Sequence, residues 1–142
     1  MKKICIVTGG SSGIGLSIVK LLLENDYHVF NLDLSPSGFG EFCQCDVTDV
    51  VQVSNIINKI SKKKAIDVLV SNAGIHFSAN IENTSEDDLD KVFNINVKGA
   101  YAAVKAVLLD QSLVDQKAVI PGGIPEIVKL TPAVSLNEPN LS

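Results

Sequence analysis

The stretch Val7-Thr8-Gly9-Gly10-Ser11-Ser12-Gly13-Ile14-Gly15 constrains this chain more than any other. Before it, Ile4-Cys5-Ile6-Val7 is a short apolar run with β-branched residues, the pattern of a strand buried on both faces in a parallel sheet. After it, Ile14, Ile18, Val19, Leu21 and Leu22 give a helical apolar stripe that ends near Glu24, with Ser11 or Ser12 as its cap. Glycines therefore turn the chain tightly between a strand and a helix. The start of that helix offers free N–H groups and the positive end of its dipole, which suit a pyrophosphate. Side chains at Gly9, Gly13 and Gly15 would block the turn, the approach of phosphates, or helix–sheet packing. The spacing is Gly-x-x-x-Gly-x-Gly rather than the commoner Gly-x-Gly-x-x-Gly. Held between this strand and this helix, the turn reads as a nucleotide cradle rather than a bare connection, with Thr8, Gly9, Ser11, Ser12, Gly13, Ile14 and Gly15 as its residues.

The same alternation continues downstream. A second strand opens at Tyr27 and carries Val29, Phe30 and Leu32; residues 35–40 are a Ser/Pro/Gly loop; residues 42–47 read as a third strand. Thr48-Asp49 starts a helix whose apolar face is Val53, Ile56, Ile57 and Ile60, and residues 66–70 are a fourth strand. Thr84 or Ser85 caps a long helix with Glu86, Asp87 and Asp88 in its first turn, where the dipole favours acid. Leu89, Val92, Phe93, Asn96 and Ala100 line one face of it, and it runs to about Leu109. Strands and helices at this spacing are β-α-β units, and right-handed crossovers make a doubly wound parallel sheet with helices on both sides. From Asp110 the character changes: four of the five prolines fall there, and residues 118–120 make one further candidate strand. The sheet is expected to be incomplete on that side.

Asp33 closes the second strand, eighteen positions after Gly15. A carboxylate there accepts hydrogen bonds from adenosine ribose hydroxyls and repels a 2′-phosphate, which favours NAD over NADP. Net charge is −4 and pI about 5.0, against nucleic-acid or anionic-membrane binding. Lys62-Lys63-Lys64 reads as a solvated helix end favoured by the dipole rather than a binding patch. Cys5, Cys43 and Cys45 are an odd set for disulfides and, with two histidines, a poor set for a metal. Cys43 and Cys45, two apart on a strand, face one side as small apolar residues. The apolar run after Met1-Lys2-Lys3 is too short for a signal core, no stretch approaches a membrane span, and a cytoplasmic protein is expected.

Four motifs in order resemble short-chain dehydrogenases/reductases. Thr8-Gly9-Gly10-Ser11-Ser12-Gly13-Ile14-Gly15 is similar to that family's cofactor loop, and Asp46-Val47 to its adenine-contacting pair. Ser71-Asn72-Ala73-Gly74 resembles its Asn-Asn-Ala-Gly element with serine in first place, and Asn96-Val97-Lys98-Gly99 the helix segment whose asparagine is catalytic. The resemblance implies a Rossmann-like, NAD-binding region over residues 1–109, with residues 110–142 a short irregular segment. It implies that Asn72, Ala73 and Gly74 line the cofactor cleft. It also implies a small alcohol or carbonyl substrate, and association of copies through the long helix from Thr84. Asn96 stands out on its own as well, as an amide on an apolar helix face that needs partners.

The family's reaction needs a tyrosine acid/base and a nearby lysine, because a phenol of pKa about 10 is a weak base until a cation stabilises the phenolate. Tyr101-Ala102-Ala103-Val104-Lys105 has the Tyr-x-x-x-Lys spacing, so Asn96, Tyr101 and Lys105 are the catalytic candidates. Yet Tyr101 follows Asn96 by five residues, too few for the serine-bearing strand the family places between them. On length, Tyr101 and Lys105 are neighbours on one helix. Asp110-Gln111-Ser112-Leu113-Val114 and Ala118-Val119-Ile120-Pro121-Gly122-Gly123-Ile124 resemble later family elements in fragments, in a chain shorter than the family's usual length. Three functions are compatible: an NAD-dependent oxidoreductase, a non-catalytic dinucleotide-binding module, or a truncated fragment.

Overall fold

In the computed structural model, the structure describes residues 1–109 and the strands at 116–119 and 128–130. The first strand, β1 (Ile4–Thr8), is buried along its whole length and pairs in parallel with β2 (His28–Asp33) on one side and β4 (Val68–Ser71) on the other. β3 (Glu41–Gln44) extends the sheet beyond β2, and β5 (Gln116–Val119) beyond β4, both in parallel. β6 (Val128–Leu130) pairs antiparallel with β5. The order is β3-β2-β1-β4-β5-β6, so the chain winds outward from β1 one way and then crosses back to its other side. At such a reversal, a crevice opens at the carboxyl ends of the strands. The motif fragments at 110–114 and 120–124 lie outside the described residues.

Alternation along β1 builds two cores. Ile4 and Ile6 face one layer with Val53, Ile57 and Ile60 of α2 (Val50–Ser61) and Ala102, Ala103, Ala106 and Val107 of α4 (Ala100–Leu109). Cys5 and Val7 face the other layer with Val19 of α1 (Gly13–Glu24). Cys43 and Cys45 join the first core on one side of the sheet. Within α1, Val19 is buried and Ile18 and Leu22 pack beside it, but Ile14 and Leu21 are exposed, so the buried stripe is narrower than the sequence suggests. Between β2 and β3, residues 34–40 make the return, where parallel crossovers usually take about a dozen or more. Gly38 and Gly40 at φ 82 and 73 turn the chain, and β3 begins opposite Phe30, partway along β2, which shortens the path.

Asp49 caps α2 by accepting from the Gln52 N–H at 2.9 Å, and Ser85 caps α3 (Glu86–Phe93) in a capping box with Asp88. The Asp88 carboxyl is held below its ordinary range by the Ser85 hydroxyl bond. Between α3 and α4, Asn94–Gly99 is a π-helical turn. The expected stripe is not formed as read: α3 buries no residue, Val92 and Ala100 are half-buried, and the wider winding of this turn resets the face beyond it. Leu89, Phe93 and Asn96 are exposed, and the face turned inward is Gly99, Ala102, Ala103, Ala106 and Val107. The helical run Glu86–Leu109 is, by length and composition alone, long and apolar enough to cross a membrane, against the expectation that no stretch approaches that length. Its inward α4 half packs on α2 and β4.

Candidate functional site

The ends of β1, β2 and β4 and the first turn of α1 surround a cleft of about 420 Å³. Gly9, Ser12, Gly13, Ile14 and Gly15 form one wall. Gly9 sits at φ 67 against the chain after β4, where a Cβ would come within 2.8 Å of the Ala73 Cα. Gly15 is buried, and a Cβ there would run into the Gly9 carbonyl oxygen and the Asn72 amide. Gly13, at φ 52, has nothing within 4 Å of where its Cβ would stand. That open space lies at the N-terminus of α1, whose Ser12 cap position makes no side-chain cap bond. The serine cap foreseen from sequence is therefore not made, and the first-turn N–H groups keep free of a capping oxygen. Ile14, 69% exposed, is the apolar rim of the same wall.

Thr8 and Asn72 hold the two halves of the cleft together. The buried Thr8 Oγ1 accepts from the Asn72 N–H at 3.0 Å and the Ala73 N–H at 3.1 Å. The Asn72 Nδ2 donates to the Thr8 and Gly9 carbonyls at 3.2 and 2.9 Å. Ser11 turns toward β2: its N–H donates to Asp33 Oδ2 at 2.9 Å and its Oγ accepts from Asn31 Nδ2 at 2.9 Å. Thr8 and Ser11 thus stand behind the cleft rather than among its lining residues. Asp33, which lines it, also accepts from the Leu34 N–H at 2.7 Å, so its carboxylate is fixed in place.

Asp46, Val47, Ala73 and Gly74 complete the foreseen lining. Asp46 Oδ1 accepts from the Thr48 N–H and hydroxyl at 2.9 and 2.7 Å. Asn96 is exposed rather than buried, yet it has the partners an amide wants: Oδ1 accepts from the Ile75 N–H at 2.8 Å and Nδ2 donates to the Ile75 carbonyl at 2.9 Å. The π-helical turn is thereby tied to the cleft wall through Ile75. Leu32, Leu34, Cys45, Ile75 and Ile95 also line the cleft and were not singled out from sequence; only their adjacency to Asp33, Asp46, Gly74 and Asn96 could have marked them. The Cys45 thiol is pushed up to about 11, chiefly by burial, so it stays neutral beside the cleft. Tyr101 and Lys105 are not brought to the cleft: they share one face of α4, with Lys105 Nζ 5.5 Å from the Tyr101 ring centroid and Tyr101 63% exposed.

A doubly wound parallel sheet with a glycine-walled cleft at its switch point defines a Rossmann-type fold. The short chain dehydrogenase family matches residues 3–120, and the chain belongs to that family. It is 31% identical over 120 residues to the 3-oxoacyl-[acyl-carrier-protein] reductase FabG of Thermotoga maritima, covering 75% of this chain and 49% of that protein. To the FabG of Chlamydia pneumoniae it is 38% identical over 117 residues, covering 72% and 47%. The chain thus spans about half the length of these curated relatives. Among solved structures, ligand-free aldohexose dehydrogenase of Thermoplasma acidophilum superposes with a TM-score of 0.80 at 32% identity, covering 84% of this chain and 48% of that one. ElxO with NADP bound gives 0.76 at 36%, covering 90% and 60%.

Proposed function

We propose that the cleft binds NAD(H), and that the chain carries the cofactor-binding part of a short-chain oxidoreductase acting on an alcohol or carbonyl compound. The observation that carries this reading is the empty space above Gly13 at an uncapped helix N-terminus. A diphosphate fits there, with Ser12 and the N–H groups of Gly13 to Gly15 as its donors. Asp33, fixed by Ser11 and Leu34, receives the adenosine ribose hydroxyls, and Asp46 and Val47 flank the adenine. Preference for NAD rests on charge: the sequence contains no arginine, no lysine among the described residues lines the cleft, and the Asp33 carboxylate repels a 2′-phosphate. When bound, the nicotinamide supplies the hydride donor or acceptor. The residues of this chain bind and orient it, with Asn72 and Asn96 bracing the walls.

Fluorescence titration with NADH tests the assignment. Gly13→Val should abolish binding, and Asp33→Ala should weaken NADH by about tenfold while narrowing the gap to NADPH, a loss of about 1.4 kcal/mol. An unaltered titration for Gly13→Val would remove the cradle, and unchanged affinity for both cofactors in Asp33→Ala would remove the ribose assignment. A second reading, a dinucleotide-binding module without catalysis, is favoured by the exposed position of Tyr101 away from the cleft. It predicts NADH binding with no turnover of secondary alcohols by NAD. Turnover lost in Tyr101→Phe would instead assign that tyrosine a direct part. We also propose that copies of the chain associate through the long helical run, where Leu89, Phe93, Val97 and Tyr101 are exposed.

A further inference from the structure

A second cavity, of about 400 Å³, opens on the α2 side of the β2–β3 edge of the sheet. Phe30, Cys43, Ile56 and Ile60 give it an apolar floor. Lys59, Lys63 and Lys64 stand around it. On α2 and its C-terminal extension, Ile56, Lys59, Ile60 and Lys63 fall at i, i+3, i+4 and i+7, so two exposed lysines border the isoleucines on the side of the helix that lines the cavity. The helix dipole accounts for lysines in a last turn, as the sequence suggests for residues 62–64. Lys59 too stands in the last turn of α2, yet Lys59 and Lys63 lie four apart along one side of the cavity, where like charges repel unless an anion joins them.

Nothing among the described residues neutralises this cluster. The three lysines make no salt bridge there. Glu41 is the one carboxylate on the cavity, and its Oε2 is already 2.9 Å from the His28 Nε2. An electropositive rim over an apolar floor therefore sits on a chain whose net charge is −4. We propose that this cavity binds a small amphipathic monoanion, with a carboxylate or sulfonate head on Lys59, Lys63 and Lys64 and an aryl or short alkyl body against Phe30 and Ile60. Ammonium–oxyanion hydrogen bonds are the strong kind, and flexible lysine stems let the three heads converge while their methylenes cover apolar surface. The volume is that of a small-molecule site.

The test uses the full chain, saturated with NAD⁺ so that the nucleotide cleft is occupied, and anilinonaphthalene sulfonate as the probe. Its fluorescence should rise to saturation, and the affinity should fall by about tenfold or more in Lys59→Glu/Lys63→Glu. Bound probe should also slow alkylation of Cys43, the half-buried thiol on the floor. An unchanged titration in the double variant, complete displacement of the probe by NAD⁺, or unprotected Cys43 would each overturn the proposal. Circular dichroism reports whether the charge-reversed chain folds; if it does not, Lys59→Gln/Lys63→Gln must show the weakening instead, and unchanged affinity there is equally fatal. Failure of NAD⁺ to bind at all would strike the cofactor reading and leave this outcome to be decided by the lysine variants.

Discussion

Three glycines of one turn answer three different demands, and substitution separates them. At Gly13 a side chain enters open space, so the cost to the fold is the left-handed backbone alone, about 1–2 kcal/mol, and the loss falls on ligand binding. At Gly15 a Cβ collides with the Gly9 carbonyl and the Asn72 amide inside the packed turn. Gly15→Val is therefore expected to cost about 3 kcal/mol or more in urea denaturation, well beyond Gly13→Val. Equal midpoints for the two variants would contradict this division. Glycine spacing and the strand-end position of Asp33 were legible because each is a local pattern. Asn31 was not: it reads as one more residue of a strand, and its partner Ser11 lies on another element. It is 0% exposed, and its Oδ1 has no hydrogen-bond partner among the described residues. Cys45 makes a pH prediction. Its thiol titrates near 9 when unfolded and at about 11 in the fold, because burial disfavours thiolate. Below pH 9 both states keep the proton and this group adds no pH dependence. From 9 to 11 the unfolded chain binds fewer protons, so stability falls as pH rises. In Cys45→Ala that part of the alkaline decline in urea midpoint should flatten; an identical slope would show that the thiol does not contribute.

At the scale of elements, among the described residues, periodicity located the helices after β1 and β3, the long helical run and the first four strands, with edges off by a few residues, but not the short 3-10 turn at Ile81–Asn83. Capping chemistry explains why starts were read well: Asp49 and Ser85 both accept a bond from an N–H within the first turn. The π-helical turn at Asn94–Gly99 escaped notice because a stripe read at 3.6 residues per turn assumes unbroken winding. Ahead of that turn α3 buries no residue, so Leu89 and Phe93 stay exposed, and at its end Gly99 lies against Val47. That contact also fixes the cleft. A Cβ on Gly99 would lie 2.9 Å from the Val47 Cγ2, and three residues earlier Asn96 grips both polar groups of the Ile75 backbone. Gly99→Val should push the turn off Val47, cost about 2–3 kcal/mol, and weaken NADH binding through the displaced wall. Urea denaturation and NADH titration read the two effects together. A variant destabilised by that amount yet binding NADH normally would show that the turn does not shape the cleft.

For the whole molecule, the parallel sheet was readable from alternation and the helix-less return before β3 from its Ser/Pro/Gly composition, while the antiparallel β6 was not, since it carries no periodic signal. Among the described residues nothing covers an apolar stripe on the long helical run. Leu89, Phe93, Val97 and Tyr101 repeat every four residues along the helical run Glu86–Leu109, and all four are exposed. Large exposed side chains scattered singly are ordinary on a soluble surface, but four in line on one helix make a contiguous patch of the kind that mates. A two-fold interface uses the same patch on both copies, so a charge placed at its centre is felt twice and opposes itself. Phe93→Glu should therefore lower the sedimentation coefficient from that of a dimer or larger assembly to that of a monomer, and it should leave NADH affinity in place, because Phe93 lines no part of the cleft. A Phe93→Leu control, which keeps the patch apolar, should sediment as the unaltered chain does. Sedimentation independent of the charge at position 93 would mean that copies do not meet on this helix.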